Sequence, residues 1–440
     1  MRGVRILLCA ALLATACSDG DPSPSAEPDP EALADELASN VPQEPTTTTT
    51  LRPPVPTDPP PLPEAMIGEL VIPCMPADAG ELPERPGVTD EAIVIGTGSD
   101  RGGLATSDAG NGIVEMIEVV VDLCNASGGL LGREVQVIEY DAAAVEAADR
   151  VAEACTEVAA LVGHRFLQEA DDVLGALECG LSRVPADAAF GTSGPVRLHA
   201  QLAAAFSDPT GAAVAIVGPD TPTDAARRDR YAAAIALHDG PLDVVASLGY
   251  PIDRLPDWDR IVGDARAAGA GQVFVSGGCR HAILPFAEVA AAAGWSPVYS
   301  ATASAYDDAC LEIAEPERLF IALPFLPVED GDDAPALAAH LALLERVGST
   351  LTGDGVMAAS AFWRWVSGAT ECLATDPDPT CGVALDRWTA GGLHAAVSAD
   401  GAGDGCAVVV GLGATGFERR LPVDPGTYEC GATLSVSPPP

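Results

Sequence analysis

The chain has 440 residues, 48% of them hydrophobic, so it can bury cores for two or three domains of ordinary size. It carries 64 acidic against 23 basic side chains, a net charge of −41, and every Lys/Arg position is an arginine. That balance repels nucleic-acid phosphates, and without lysine neither Schiff-base chemistry nor a P-loop lysine is available.

In chain order, Arg2 and Arg5 precede an apolar run from Ile6 to Ala14, followed by Ala14-Thr15-Ala16-Cys17. This pattern reads as a signal peptide over residues 1–16, too short to span a bilayer. It resembles a bacterial lipoprotein signal, which implies lipid on Cys17 and a location on the outer face of the cytoplasmic membrane. Residues 17–65 carry Asp-Pro and Ser-Pro pairs, the run Thr46 to Thr50 and Pro59-Pro60-Pro61. Such a composition buries too little apolar surface to fold and reads as an extended tether. A strap, 66–88, carries Cys74 into the folded part.

From Thr89 a βα alternation is regular. Strands are expected at Ile93–Gly96, Glu134–Ile138, Ala160–Val162 and Ser182–Val184, alternating with helices at Gly110–Asn125, Ala143–Glu157 and Leu167–Cys179. The pattern restarts with strands at Ala213–Val217, Leu242–Ser247, Gln272–Ser276 and Pro297–Ser300, and helices at Thr223–Leu237, Trp258–Ala268 and Ala282–Ala293. A strand at Leu319–Leu323, helices at Ala334–Arg346 and Gly355–Leu373, and a hairpin of Ala407–Val410 with Phe417–Leu421 complete the chain. The fold class is α/β: two doubly wound parallel-sheet lobes with a hinge and an interlobe cleft, both sheets pointing their carboxyl ends into the cleft.

Several motifs that carry chemistry elsewhere are discounted. Gly411-Leu-Gly-Ala-Thr-Gly416 matches a dinucleotide fingerprint as a string, but Pro422 and Pro425 deny it the following helix that must hold the phosphates, so it reads as a hairpin turn. Gly96-Thr-Gly98 with Gly102 is followed by a helix that starts too late. No His-Glu-x-x-His, Gly-x-Ser-x-Gly or Cys-x-x-Cys occurs, and the acidic runs at 329–333 and 400–404 lack EF-hand spacing. No catalytic residue, metal or cofactor is expected.

The stretches Val88-Thr-Asp-Glu-Ala-Ile-Val-Ile-Gly96, Asn125-Ala-Ser-Gly-Gly-Leu-Leu-Gly-Arg133, Asp141 and Leu161-Val-Gly163 resemble the type I periplasmic binding proteins, in particular the solute-binding lipoproteins of branched-chain-amino-acid-type ABC transporters. Ala291-Ala-Ala-Gly-Trp295, Pro324-Phe-Leu-Pro327 and the helix from Met357 to Cys372 support the likeness. The resemblance implies a chain that crosses between the lobes more than once, with lobe 1 over 89–196 plus about 318–373 and lobe 2 over 197–317 plus about 382–436, hinge closure around a small ligand, and an ABC permease as partner. It departs from the family where ligands are held. The third strand is followed by His164-Arg165-Phe166-Leu167 instead of small hydroxyl residues, and the fourth ends in Ala186-Asp187-Ala188-Ala189. In the second lobe, Gly218-Pro219-Asp220-Thr221 and Gly277-Gly278-Cys279-Arg280 stand where aromatic residues are usual.

Arg101, Arg165 and Arg280 each follow a strand, and arginines gathered in the cleft of an acidic protein favour a carboxylate through paired hydrogen bonds. The alternative is that each pairs with a local acid such as Asp100, Asp187 or Asp220. Thr106, Ser107, His164, Asp187, Asp220, Thr221 and Ser300 complete the candidate ligand contacts.

An even set of cysteines in an exported protein points to disulfides. Helix and strand ends that share a side suggest Cys74–Cys124, Cys155–Cys179 and Cys279–Cys310, with Cys372–Cys381 and Cys406–Cys430 closing loops in the tail. The expected function is therefore a lipid-anchored, monomeric solute-binding protein for a small polar amino-acid, amide or carboxylate ligand, touching the membrane only through its lipid. A receptor-like or sensory protein of the same fold with altered or lost ligand binding, or a dinucleotide-dependent enzyme, are the other readings.

Overall fold

The computed structural model describes residues 82–103, 110–168, 175–186, 213–237, 242–334, 352–374, 406–413 and 415–430, with shorter pieces at 66–67, 70–71, 74, 337–338, 341 and 393. The expected signal peptide, Cys17, the tether, Thr106, Ser107, Asp187, most of the helix at Ala334–Arg346 and the Cys372–Cys381 bridge lie outside the described residues. All the elements below belong to one compact unit, Pro59–Pro440.

The strap forms a small antiparallel pair, β1 (Met66–Ile67) and β2 (Leu70–Val71), and buried Cys74 bonds to Cys124. Strand β3 (Ala92–Ser99) then enters helix α1 (Asn111–Ala126), which buries Ile113, Met116, Ile117, Val120 and Cys124 at helical spacing. The helix stops at Gly128 and Gly129, with φ of 113° and 74°. A Cβ on Gly129 would fall 2.0 Å from the Arg133 carbonyl oxygen, so only glycine fits.

The Asn125-to-Arg133 motif is a structural device. The Asn125 side chain donates to the Val135 carbonyl and accepts from the Val135 N–H, both at 2.8 Å, fastening α1 to β4 (Glu134–Asp141). Arg133 Nε donates to the Thr89 carbonyl at 2.8 Å and closes the unit from below. Helix α2 (Ala147–Glu157), β5 (Ala160–Val162) and β6 (Ser182–Val184) follow, and residues 175–179 are helical. The Cys155–Cys179 bridge ties that helical piece to α2. The smaller sheet is all parallel, in the order β4-β3-β5-β6.

The second lobe runs β7 (Ala213–Pro219), α3 (Pro222–Leu237), β8 (Asp243–Tyr250), α4 (Trp258–Ala267) and β9 (Gln272–Val275). A π-helical turn, Cys279–Ile283, leads straight into α5 (Leu284–Ala292) and then β10 (Val298–Ala301). After β11 (Leu319–Leu323) come α6 (Gly353–Ala374), β12 (Cys406–Leu412), β13 (Phe417–Leu421) and β14 (Glu429–Cys430). The larger sheet is ordered β13-β12-β11-β10-β9-β7-β8, with β14 on β12; β7 to β11 are parallel and β12 and β13 antiparallel.

One expectation is corrected here. Residues from about 318 were assigned to the first lobe, but β11 sits in the larger sheet between β10 and β12. Its buried Leu319, Ile321 and Leu323 are covered by pairing with β10 on one side and β12 on the other. Helix α6 instead packs along α1, with Gly112 facing Thr352 and Gly355 beside Met116. It buries Phe362, Trp363 and Trp365, each side chain of this kind contributing roughly 2–3 kcal/mol on leaving water.

The Gly411–Gly416 string is a hairpin turn between β12 and β13, closed by Gly413 N–H on the Gly416 carbonyl at 2.7 Å. Arg419 anchors this hairpin to the short helix Val328–Asp333 by donating from Nε to Asp330 Oδ1 at 2.6 Å and from Nη2 to Oδ2. Cys406, opposite Cys430 in the ladder, is disulfide-bonded.

Candidate functional site

Parallel sheets leave loops at their carboxyl ends, and here the loops of both lobes meet. The segment His164–Leu167 after β5 and Pro185 after β6 face Pro219 at the end of β7, Thr223, Asp224 and Arg227 of α3, and Ser276–Gly277 after β9. They enclose about 30 Å³, room for a single water. A larger cavity of about 340 Å³ lies alongside. Its walls are the start of α1 (Gly110, Gly112, Glu115), the start of α6 (Thr352, Gly353, Asp354), the π-helical turn (Cys279, Arg280, His281) and Ser304–Asp307 beyond β10. That volume is in the range of sites for small organic ligands.

Each wall has a local cause. Thr352 caps α6, its hydroxyl accepting from Gly355 N–H at 3.0 Å, which sets Asp354 in the first turn beside the cavity. The Cys279–Cys310 bridge pins the π-helical turn to the short helix Asp308–Glu312, and Asp307 caps that helix by accepting from Ala309 N–H at 2.7 Å. So Arg280, His281 and Asp307 ride on one cross-linked frame. Tyr306 is held from behind: its hydroxyl donates to Glu329 at 2.6 Å and accepts from Val328 N–H at 2.8 Å, and its ring packs at a tilt against Phe417, centroids 4.8 Å apart. Burial pushes the Glu329 carboxyl above its usual range, partly offset by the Tyr306 hydrogen bond.

Behind the smaller cavity sits Asp100, 3% exposed, at the end of β3. It accepts from Leu167 N–H at 2.6 Å and Ala144 N–H at 2.9 Å. Burial pushes its carboxyl up to about 6, although those hydrogen bonds and Arg165 draw it down. Neighbouring Asp141 accepts from Ala143 N–H at 2.9 Å and Gly102 N–H at 3.1 Å. Ala143 and Ala144 have φ of 44° and 71°, a conformation that costs a non-glycine residue free energy and is held by these two carboxylates.

The candidate ligand contacts scatter among different fates. Arg280 lines the larger cavity and His164 and Arg165 the smaller one. Arg165 donates from Nη1 to Ser304 and, at 2.9 Å, to Asp354. Arg101 is paired with Glu139 on the outer edge and is 41% exposed. Asp220 is 69% exposed and lies 3.9 Å from Arg228. Two hydroxyls are spent on the fold. Thr221 is buried as the cap of α3, accepting from Asp224 N–H at 3.0 Å and donating to its carboxylate at 2.8 Å. Ser300 is buried against Gln272 at 2.9 Å inside the larger sheet. Sequence reasoning missed Glu115, His281, Ser304, Tyr306, Asp307 and Asp354. Asp354 alone had a signal, the Thr352-Gly-Asp-Gly helix-start pattern.

Known structures share the two-lobed α/β architecture of this chain. A fatty acid ABC transporter substrate-binding protein from Thermomonospora curvata matches with a TM-score of 0.62 at 17% identity, over 77% of this chain and 93% of its own. The fold is that of the type I periplasmic binding proteins. A branched-chain amino acid transporter substrate-binding protein from Streptococcus pneumoniae, in complex with isoleucine, matches with a TM-score of 0.58 at 14% identity, over 79% of this chain and all of its own. A leucine-binding protein from Thermotoga maritima matches with a TM-score of 0.59 at 14% identity, over 75% and 97%. No family model and no curated protein matches. These periplasmic-binding-protein neighbours are substrate-binding proteins by name. Among the described residues no cluster of three or more metal-ligating side chains occurs, and no helix is long and apolar enough to cross a membrane.

Proposed function

We propose that the chain is an extracytoplasmic solute-binding protein that captures a small polar molecule, of amino-acid, amide or carboxylate type, and delivers it to an ABC permease. The observation that carries this reading is the cavity of about 340 Å³ built by both lobes at the carboxyl ends of their sheets. Arg280 and His281 supply donors for a carboxylate on one wall, and Glu115 and Asp307 supply acceptors for an amino or amide group on others. The solved neighbours named for amino-acid and fatty-acid ABC transporters support the same reading. Lipid on Cys17 would hold the protein at the outer face of the membrane, the permease being its membrane partner.

The test is a thermal-shift and calorimetric screen of the purified full chain against the common amino acids, their amides and short carboxylates. A ligand at 100 times its dissociation constant stabilises the folded state by about 2.7 kcal/mol. A stabilising, saturable shift with a member of these classes is expected. No response to any of them refutes this ligand class.

A further inference from the structure

The two cavities share one boundary. Arg165, after β5 of the first lobe, lines the smaller cavity, while the groups it holds, Ser304 of the second lobe and Asp354 of α6, line the larger. The guanidinium therefore stands between the two spaces and spans from lobe to lobe. Its side chain is 23% exposed and that of Asp354 16%, so solvent screens the pair only in part.

The segment carrying it is stiff. Arg165 N–H donates to the Gly98 carbonyl at 3.0 Å, and two residues on Leu167 N–H donates to buried Asp100. Phe166 packs at Gly98, where a Cβ would meet its ring at 2.4 Å. Beyond Arg165, the smaller space combines apolar walls, Phe166, Leu167 and Pro185, with the polar groups of Arg183, Arg227, Asp224 and Ser276.

We infer that Arg165 is the specificity-determining residue of this cleft: its side chain partitions one elongated interlobe channel and caps the length of ligand that the larger cavity accepts. This rests on the solute-binding reading for its functional meaning, but the partition itself is a property of the protein alone. With the guanidinium removed, the two spaces become one, and a longer molecule reaches the groups around the smaller one. A carboxylate at its far end would then meet Arg183 and Arg227, the latter in competition with Asp224, which it already holds at 2.8 Å.

The experiment compares the full chain with Arg165→Ala and Arg165→Met. Crystal structures give the cavities directly. A single continuous cavity is expected in Arg165→Ala, and two separate cavities in Arg165→Met, where an unbranched chain of similar length keeps the bulk without the charge. Two separate cavities in Arg165→Ala overturn the inference. Thermal-shift titration with straight-chain α-amino acids and α,ω-dicarboxylates of four to eight carbons supplies the functional arm. The native chain and Arg165→Met are expected to respond to the short members only, and Arg165→Ala to members at least two carbons longer. An identical length limit in all three proteins also overturns it. Silence of every protein toward every probe counts against the proposed ligand class, while the cavities in the Arg165→Ala crystal still decide the partition. Should Arg165→Ala fail to fold, the same structures and titrations are made on Arg165→Ser: a merged cavity with a longer length limit is again expected, and two separate cavities or an unchanged limit again overturn the inference.

Discussion

The most quantitative prediction concerns Asp100. Its carboxyl is raised from 3.8 to about 6, chiefly because burial disfavours the charge. A raised carboxyl binds its proton more tightly in the folded than in the unfolded chain. Its contribution to stability is therefore fully present below pH 3.8 and is lost as pH rises through about 6. The shift corresponds to about 3 kcal/mol at 1.36 kcal/mol per pH unit. The group is 3% exposed, so solvent screening removes little of this. Other carboxyls, Glu139 and Glu329 among them, also shift upward, so the slope of the native protein alone does not isolate Asp100. The difference between native and Asp100→Asn does. An amide cannot ionise, so the native chain should lose about 3 kcal/mol relative to the variant between pH 3.5 and 7.5. Urea unfolding of both proteins at half-unit pH steps measures this. A difference that stays flat across that range, or that moves in favour of the native chain as pH rises, refutes the assignment of burial as the dominant influence.

Three further outcomes are expected. Gly353→Ala would put a Cβ 2.0 Å from the Ala303 carbonyl oxygen, across the junction of α6 and the second lobe, so the variant should unfold about 1–3 kcal/mol more easily in urea and show faster amide exchange at 302–306. Asp330→Asn leaves the buried Arg419 guanidinium without its counter-charge and should cost about 3–5 kcal/mol, read as a lowered urea midpoint at unchanged slope. Replacing both Cys74 and Cys124 by serine opens a 50-residue separation and should cost about 4 kcal/mol, against about 3.5 kcal/mol for Cys155 with Cys179 at a separation of 24, by calorimetry of each double variant.

The alternation of β-branched runs and amphipathic helices made the two α/β lobes legible, because strand and helix periods differ along the chain. The assignment of Leu319–Leu323 failed because strand identity is local whereas sheet membership is decided by long-range pairing. The π-helical turn at Cys279–Ile283 was invisible for a related reason, since no residue pattern distinguishes it from the first turn of α5. Among polar residues, position at a strand end was a weak guide. Thr221 and Ser300 sit at or near such ends, but a helix start and a buried glutamine claim their hydroxyls first. Asp354 and Ser304 were overlooked because they come from a helix start and a short connecting helix, and the sequence does not reveal which strand ends these approach.

The clasp of Asn125 on Val135 has a consequence outside the folded monomer. Among the described residues strand β4 is an edge of the smaller sheet, and edges are where chains of different molecules zip together. The amide of Asn125 already engages both backbone groups of Val135, near the start of that edge. A strand arriving from another copy finds that rung already occupied.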